Sequence, residues 1–83
     1  MSFVRFDVEQ AGCESCASLV REALSPVLAI AELEIDQERD VARVTGQLLD
    51  GSSVEVVDRL LAAASVDTRH AYRVGPGSWR EGS

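Results

Sequence analysis

Residues 3–9, FVRFDVE, alternate apolar and polar side chains: Val4, Phe6 and Val8 fall on one side, Arg5, Asp7 and Glu9 on the other. A period of two predicts a half-buried β-strand. The period then changes. Cys16, Leu19, Val20, Ala23 and Leu24 recur at i, i+3, i+4, i+7 and i+8, the buried stripe of a helix with Arg21 and Glu22 on its outer face. Pro26 ends that helix, because its ring disfavours helical geometry at Ser25.

AELEID at 31–36 returns to a period of two and puts Ala31, Leu33 and Ile35 on one face. QERD is a polar turn, and VARVT follows as a short strand with Ala42 and Val44 inward. Strands joined by so few residues pair antiparallel, as a hairpin. Gly46 and DGSS at 50–53 read as breaks, with Ser52 or Ser53 placed to cap a second helix. That helix has Val54, Val57, Leu60, Leu61 and Ala64 as its apolar stripe and Glu55, Asp58 and Arg59 outward. Thr68, His70, Tyr72 and Val74 alternate with Asp67, Arg69, Ala71 and Arg73, which predicts a last strand over 67–74. GPGSWREGS at 75–83 reads as a flexible tail. Trp79 within it either folds back or marks a contact, and fold-back is favoured because a small domain is short of core.

The predicted order is β-α-β-β-α-β over residues 1–74. It defines an α+β, ferredoxin-like sandwich with two helices on one face of a four-stranded antiparallel sheet. A chain of 83 residues makes one small domain, better suited to a surface site on loops than to a deep cavity. Fourteen Asp and Glu stand against eight Arg, for a net charge of −6. With no basic stripe to neutralise phosphates, nucleic acid and anionic membrane surfaces are excluded as partners. MSFVRFDVEQ has neither the basic nor the apolar region of a secretory leader, and no apolar run is long enough to span a bilayer. The expected location is therefore the cytoplasm, where thiols stay reduced and a C-x-x-C pair is metal-binding or catalytic more often than a structural disulfide.

Cys13 and Cys16, in QAGCESC, are the only cysteines. They fall where the first strand passes into the first helix, so two sulfurs can converge on one point. Unpaired N–H groups and the positive end of the helix dipole favour thiolate there, while Glu14 opposes added negative charge. Two thiolates suit a soft ion that accepts two-coordinate binding, Cu(I) above all, whereas Zn(II) wants four ligands. His70, the only histidine, is expected to be a packed or edge residue and not a ligand. Two other readings stay open on the residues alone: a dithiol redox protein, and a ferredoxin-like interaction or regulatory domain whose cysteines serve no metal.

CESCASLVREALSPVLAIAELEI resembles the heavy-metal-associated (HMA) domain of copper chaperones, mercury-binding proteins and the N-terminal modules of metal-transporting P-type ATPases. The family pattern is Gly-Met-x-Cys-x-x-Cys, an apolar helix, then a strand introduced by Gly-Val. Cys13 and Cys16 fall on its two metal-binding cysteines, Val20, Ala23 and Leu24 on its helix core, Ala29 and Ile30 on Gly-Val, and Leu33 and Ile35 on the second-strand core. The resemblance implies a non-enzymatic protein that binds and transfers a soft ion through Cys13 and Cys16, Cu(I) first and Zn(II) or Hg(II) next. The implied partner is a metal donor or acceptor such as a P-type ATPase or its metal-binding domain, met by a monomer or a metal-bridged dimer. Two positions and one loop depart from the pattern. Ala11 stands for the Met, Gln10 for the Gly, and Ser65-Val66-Asp67 lacks the Tyr or Lys that family members turn toward the metal.

Overall fold

The computed structural model describes residues 2–66 and 68–82. Its elements run β1 (Ser2–Glu9), α1 (Glu14–Leu24), β2 (Leu28–Asp36), β3 (Val41–Leu48), α2 (Val54–Ser65), β4 (Arg73–Val74) and β5 (Arg80–Gly82). The sheet order is β2-β3-β1-β4, antiparallel throughout, with β5 also paired to β1. The expected ferredoxin-like α+β arrangement is the observed one. Val4, Phe6, Val8, Ala42, Val44 and Leu48 form the inner face of the sheet, and Val20, Leu24, Val57 and Leu61 of the helices close over it. On the outer face, Arg43 donates to Asp7 at 3.3 Å and Arg73 to Glu9, each across directly paired strand positions. Such exposed pairs are screened by solvent and add little to stability, serving mainly to match the strands' register.

The helices begin and stop for local reasons. Ser53 caps α2, its hydroxyl accepting from the Val56 N–H at 3.4 Å. Helix α1 ends at Leu24, two residues before Pro26, as expected. Its buried side is rotated from the predicted stripe: Cys16, Ala17, Val20 and Leu24 are buried, whereas Leu19 is 39% exposed. Leu19 lines a groove of about 440 Å³ with Glu22, Ala23, Ala63, Ala64 and Thr68. The small alanines of α2 do not reach across to cover it.

Two strand expectations change. Ala31 does not share a face with Leu33 and Ile35, because the pairing of β2 with β3 shifts between Ile30 and Glu32 and leaves Ala31 as the extra residue of a β-bulge. Leu28 and Ile30 face inward before the bulge and Leu33 after it, while Ala31 is exposed. Opposite the bulge sits Gly46, which is no break but a residue inside β3, paired to both Val4 and Ile30. A Cβ on Gly46 would collide with the Ala29 carbonyl oxygen and lie 2.9 Å from Ile30 Cα. Gly46→Ala therefore costs about 1–3 kcal/mol of stability through overpacking, to be read from the shift of a denaturant midpoint.

The predicted strand over 67–74 shrinks to β4, and Asp67 itself lies outside the described residues. Side-chain hydroxyls take the hydrogen bonds a longer strand would use. Thr68 Oγ1 donates to the Ser65 carbonyl at 3.0 Å and accepts from the His70 N–H at 3.1 Å, and Ser65 Oγ accepts from the Tyr72 N–H at 2.8 Å. Beyond β4, where a flexible tail was expected, the chain turns and returns to the sheet. Arg5 and Val8 are three apart, but their partners Arg80 and Val74 are six apart, so three extra residues are looped out. Ser78 closes that loop, its hydroxyl accepting from the Asp7 N–H at 3.1 Å and donating to the Gly75 carbonyl at 2.7 Å. Trp79 folds back and stacks on Phe6, ring centroids 5.0 Å apart.

Candidate metal centre

The site is built at the junction of β1 and α1. Cys13 is the N-cap residue of α1, with extended backbone (φ −127°, ψ 163°), and its side chain makes no capping bond. Its carbonyl accepts the first helical hydrogen bond from the Ala17 N–H at 2.9 Å, so the backbone is committed while the sulfur stays free. Cys16 lies in the first helical turn on the buried side, 4% exposed. The two thiols are unoxidised, with Sγ atoms 3.0 Å apart, one outside and one beneath the loop. The sequence thus placed both sulfurs correctly at a strand-to-helix junction.

Their environments differ. Hydrogen bonding from Ser15, whose Oγ is 3.4 Å from Cys13 Sγ, and then from Cys16, holds the Cys13 thiol below its usual range. Burial pushes the Cys16 thiol up, and the nearby Tyr72 hydroxyl partly opposes that. Cys13 therefore reacts with iodoacetamide well before Cys16 near neutral pH, an order that peptide mapping after brief alkylation reads out. Equal rates at the two sites would contradict this asymmetry.

Tyr72 was not foreseen as part of the site. Ser65-Val66-Asp67 carries no Tyr or Lys, and the tyrosine that acts on Cys16 comes from later in the chain. Its ring is 2% exposed and its hydroxyl is buried with no hydrogen-bond partner among the described residues. It lies close enough to act on Cys16 without reaching hydrogen-bond geometry, and burial, then Cys16, pushes its pKa up to about 12. An O–H left without an acceptor in a native core is costly. A Cys16 thiolate would accept from it far better than a thiol does. The signal was present as an inward aromatic on the last alternation, but not the loop geometry that brings it under Cys16. His70 stacks on Tyr72 with centroids 5.9 Å apart.

Two further residues shape the loop. Gln10 adopts a left-handed backbone (φ 63°), a conformation suited to glycine, and its Oε1 accepts from the Ala71 N–H at 3.0 Å. That hydrogen bond ties the loop to the segment leading into β4. Asp40, also left-handed (φ 56°), closes the turn between β2 and β3. Its carbonyl accepts from the Ala11 N–H at 3.2 Å and its Oδ1 from the Gly12 N–H at 3.0 Å. Ala11 is fully buried in the core, so the smaller residue is packed in place. Among the described residues no third His, Cys, Asp or Glu joins the two sulfurs in a potential metal-binding group. No helix among them is long and apolar enough to cross a membrane.

Fold and site together define a ferredoxin-like module that presents a cysteine pair at its first strand-to-helix junction. The chain belongs to the heavy-metal-associated domain family, whose model matches residues 5–66, about three quarters of its length. Membership carries heavy-metal binding as the role of the domain. No curated protein and no solved structure gives a significant match.

Proposed function

We propose that the protein binds one Cu(I) per chain between Cys13 and Cys16 and passes it to a partner protein. The observation that carries this reading is the pair of sulfurs 3.0 Å apart, with no third protein ligand beside them among the described residues. A donor set of two thiolates is complete for Cu(I), but half of what Zn(II) requires. Linear binding would place the sulfurs on opposite sides of the ion. Cys13, exposed and making no capping bond, is the one free to swing outward, while Cys16 is held by the core.

The same asymmetry supports transfer. A partner thiolate reaches the ion from the Cys13 side, forms a three-coordinate intermediate, and takes the ion as Cys13 and then Cys16 let go. The partner is a metal-transporting protein such as a P-type ATPase or its metal-binding domain, met in the cytoplasm. The role is carriage of the ion, without chemistry on a carbon substrate. A competition titration with a Cu(I) chelator, repeated with Zn(II), tests the reading. The reduced protein should take one equivalent of Cu(I) and hold it far more tightly than Zn(II). Preference for Zn(II), or copper held equally by the Cys13→Ser/Cys16→Ser variant, would refute it.

A further inference from the structure

The structure assigns Asp40 as a positioning residue for the cysteine pair: its carboxylate fixes the backbone one residue before Cys13 and so sets where the outer sulfur sits. Cys16 is placed by the helix and the core. Cys13 is held less firmly: it is the exposed N-cap, its side chain makes no capping bond, and its sulfur meets only Ser15 and Cys16 at the helix start. On its other side stands Gly12, the residue type with the greatest backbone freedom.

Gly12 has no choice of identity. A Cβ there would lie 2.5 Å from Asp40 Cα and 2.8 Å from Asp40 Oδ1. Close approach of the β2–β3 turn thus requires a glycine, and a glycine leaves the chain entering the N-cap free to turn about its own backbone. The Asp40 Oδ1 bond to the Gly12 N–H, 3.0 Å long and 28 residues apart in sequence, removes that freedom. The Asp40 carbonyl holds the Ala11 N–H at 3.2 Å, so two successive amides before Cys13 are bound by one residue. Asp40 is not itself part of a metal-binding group among the described residues. It acts through Gly12.

The functional meaning of this assignment rests on the metal-binding reading, but its geometry can be tested without metal. Asp40→Gly keeps a residue suited to a φ of 56° and retains the backbone acceptor, removing only the carboxylate. Asp40→Asn also tolerates that conformation and keeps an oxygen acceptor. Two measurements on the full chain follow, each beside a thermal melt to establish folding. In Cu(I) competition, Asp40→Gly should bind about tenfold more weakly, the scale of one hydrogen bond to a charged acceptor, and Asp40→Asn should stay within about twofold of the wild type. The second measurement uses no metal. Glutathione disulfide oxidises the Cys13–Cys16 dithiol to an intrachain disulfide and is itself reduced to two glutathiones. Asp40→Gly should shift that equilibrium toward the dithiol, because its sulfurs are less well held together, and Asp40→Asn should not.

Unchanged affinity and unchanged exchange in Asp40→Gly overturn the assignment, as does an Asp40→Asn variant as impaired as Asp40→Gly. Should the wild type itself fail to hold Cu(I), the proposed function falls and the glutathione equilibrium alone decides the role of Asp40.

Discussion

Cys13→Ser lowers Cu(I) affinity by at least about a thousandfold and leaves the apo fold's stability within about 0.5 kcal/mol of the wild type. The stability half of that expectation comes from the structure, the affinity half from the proposed function. Cys13 is exposed and contributes no capping bond, so its sulfur is nearly absent from the folding balance. It is also half of the proposed two-sulfur donor set, and a neutral hydroxyl is a poor ligand for a soft ion. Cys16→Ser loses the ion just as completely but also touches the core, since Cys16 is 4% exposed and lies beside the unpartnered Tyr72 hydroxyl. Its melting temperature should therefore move, and that of Cys13→Ser should not. Chelator competition paired with thermal melts of both variants checks this, and a Cys13→Ser protein that keeps copper would sink the two-sulfur account.

The second large effect concerns the core. Phe6→Ala should cost about 3–5 kcal/mol, because the ring is fully buried between the sheet and the helices. For a domain of this size total stability is on the order of 4–12 kcal/mol, so the variant sits near the threshold of folding. Trp79→Ala should cost less, about 1–3 kcal/mol, because Trp79 is only half-buried and lies just before the short strand β5. The two rings stack at 5.0 Å, and a double-mutant cycle in urea should give a coupling of about 0.5–1.5 kcal/mol. Additive effects would mean that Trp79 does not pack on Phe6 in solution.

What could be read from the sequence was whatever depends on near neighbours. The alternation of Val4, Phe6 and Val8 fixed the inner face of β1, and all three are buried there. The helical recurrence of Cys16, Val20 and Leu24 placed the second sulfur at the helix start, facing inward. Ala42 and Val44 likewise lie inward on β3. What could not be read depends on register and on distant contacts. One residue bulged at Ala31 reverses which side chains face inward, and nothing local announces it except a glycine, Gly46, whose partner strand lies 16 residues away. Leu19 matched the helical period but met only the short side chains of Ala63, Ala64 and Thr68 across the groove.

The candidate site divides the same way. Cys13 and Cys16 were legible as a pair because only two residues separate them along the chain. Tyr72 and Asp40 were not, because each reaches the loop from another part of the fold. Their traces are visible in retrospect: an Asp ending a polar turn is a residue that accepts left-handed backbone, and a Gly directly before a cysteine marks a close approach. Gln10 and Ala11, which depart from the family pattern, are both accommodated. One supplies an acceptor to the Ala71 N–H and the other is sealed into the core.

The central claim is that two sulfurs, and nothing else in the chain, hold the ion. Copper-edge X-ray absorption on reduced protein loaded with one equivalent of Cu(I) tests it most directly. The account predicts a two-coordinate spectrum with only sulfur neighbours, lost in the Cys13→Ser/Cys16→Ser variant. A shell with nitrogen or oxygen neighbours from the chain, or a spectrum that survives the double substitution, would contradict it.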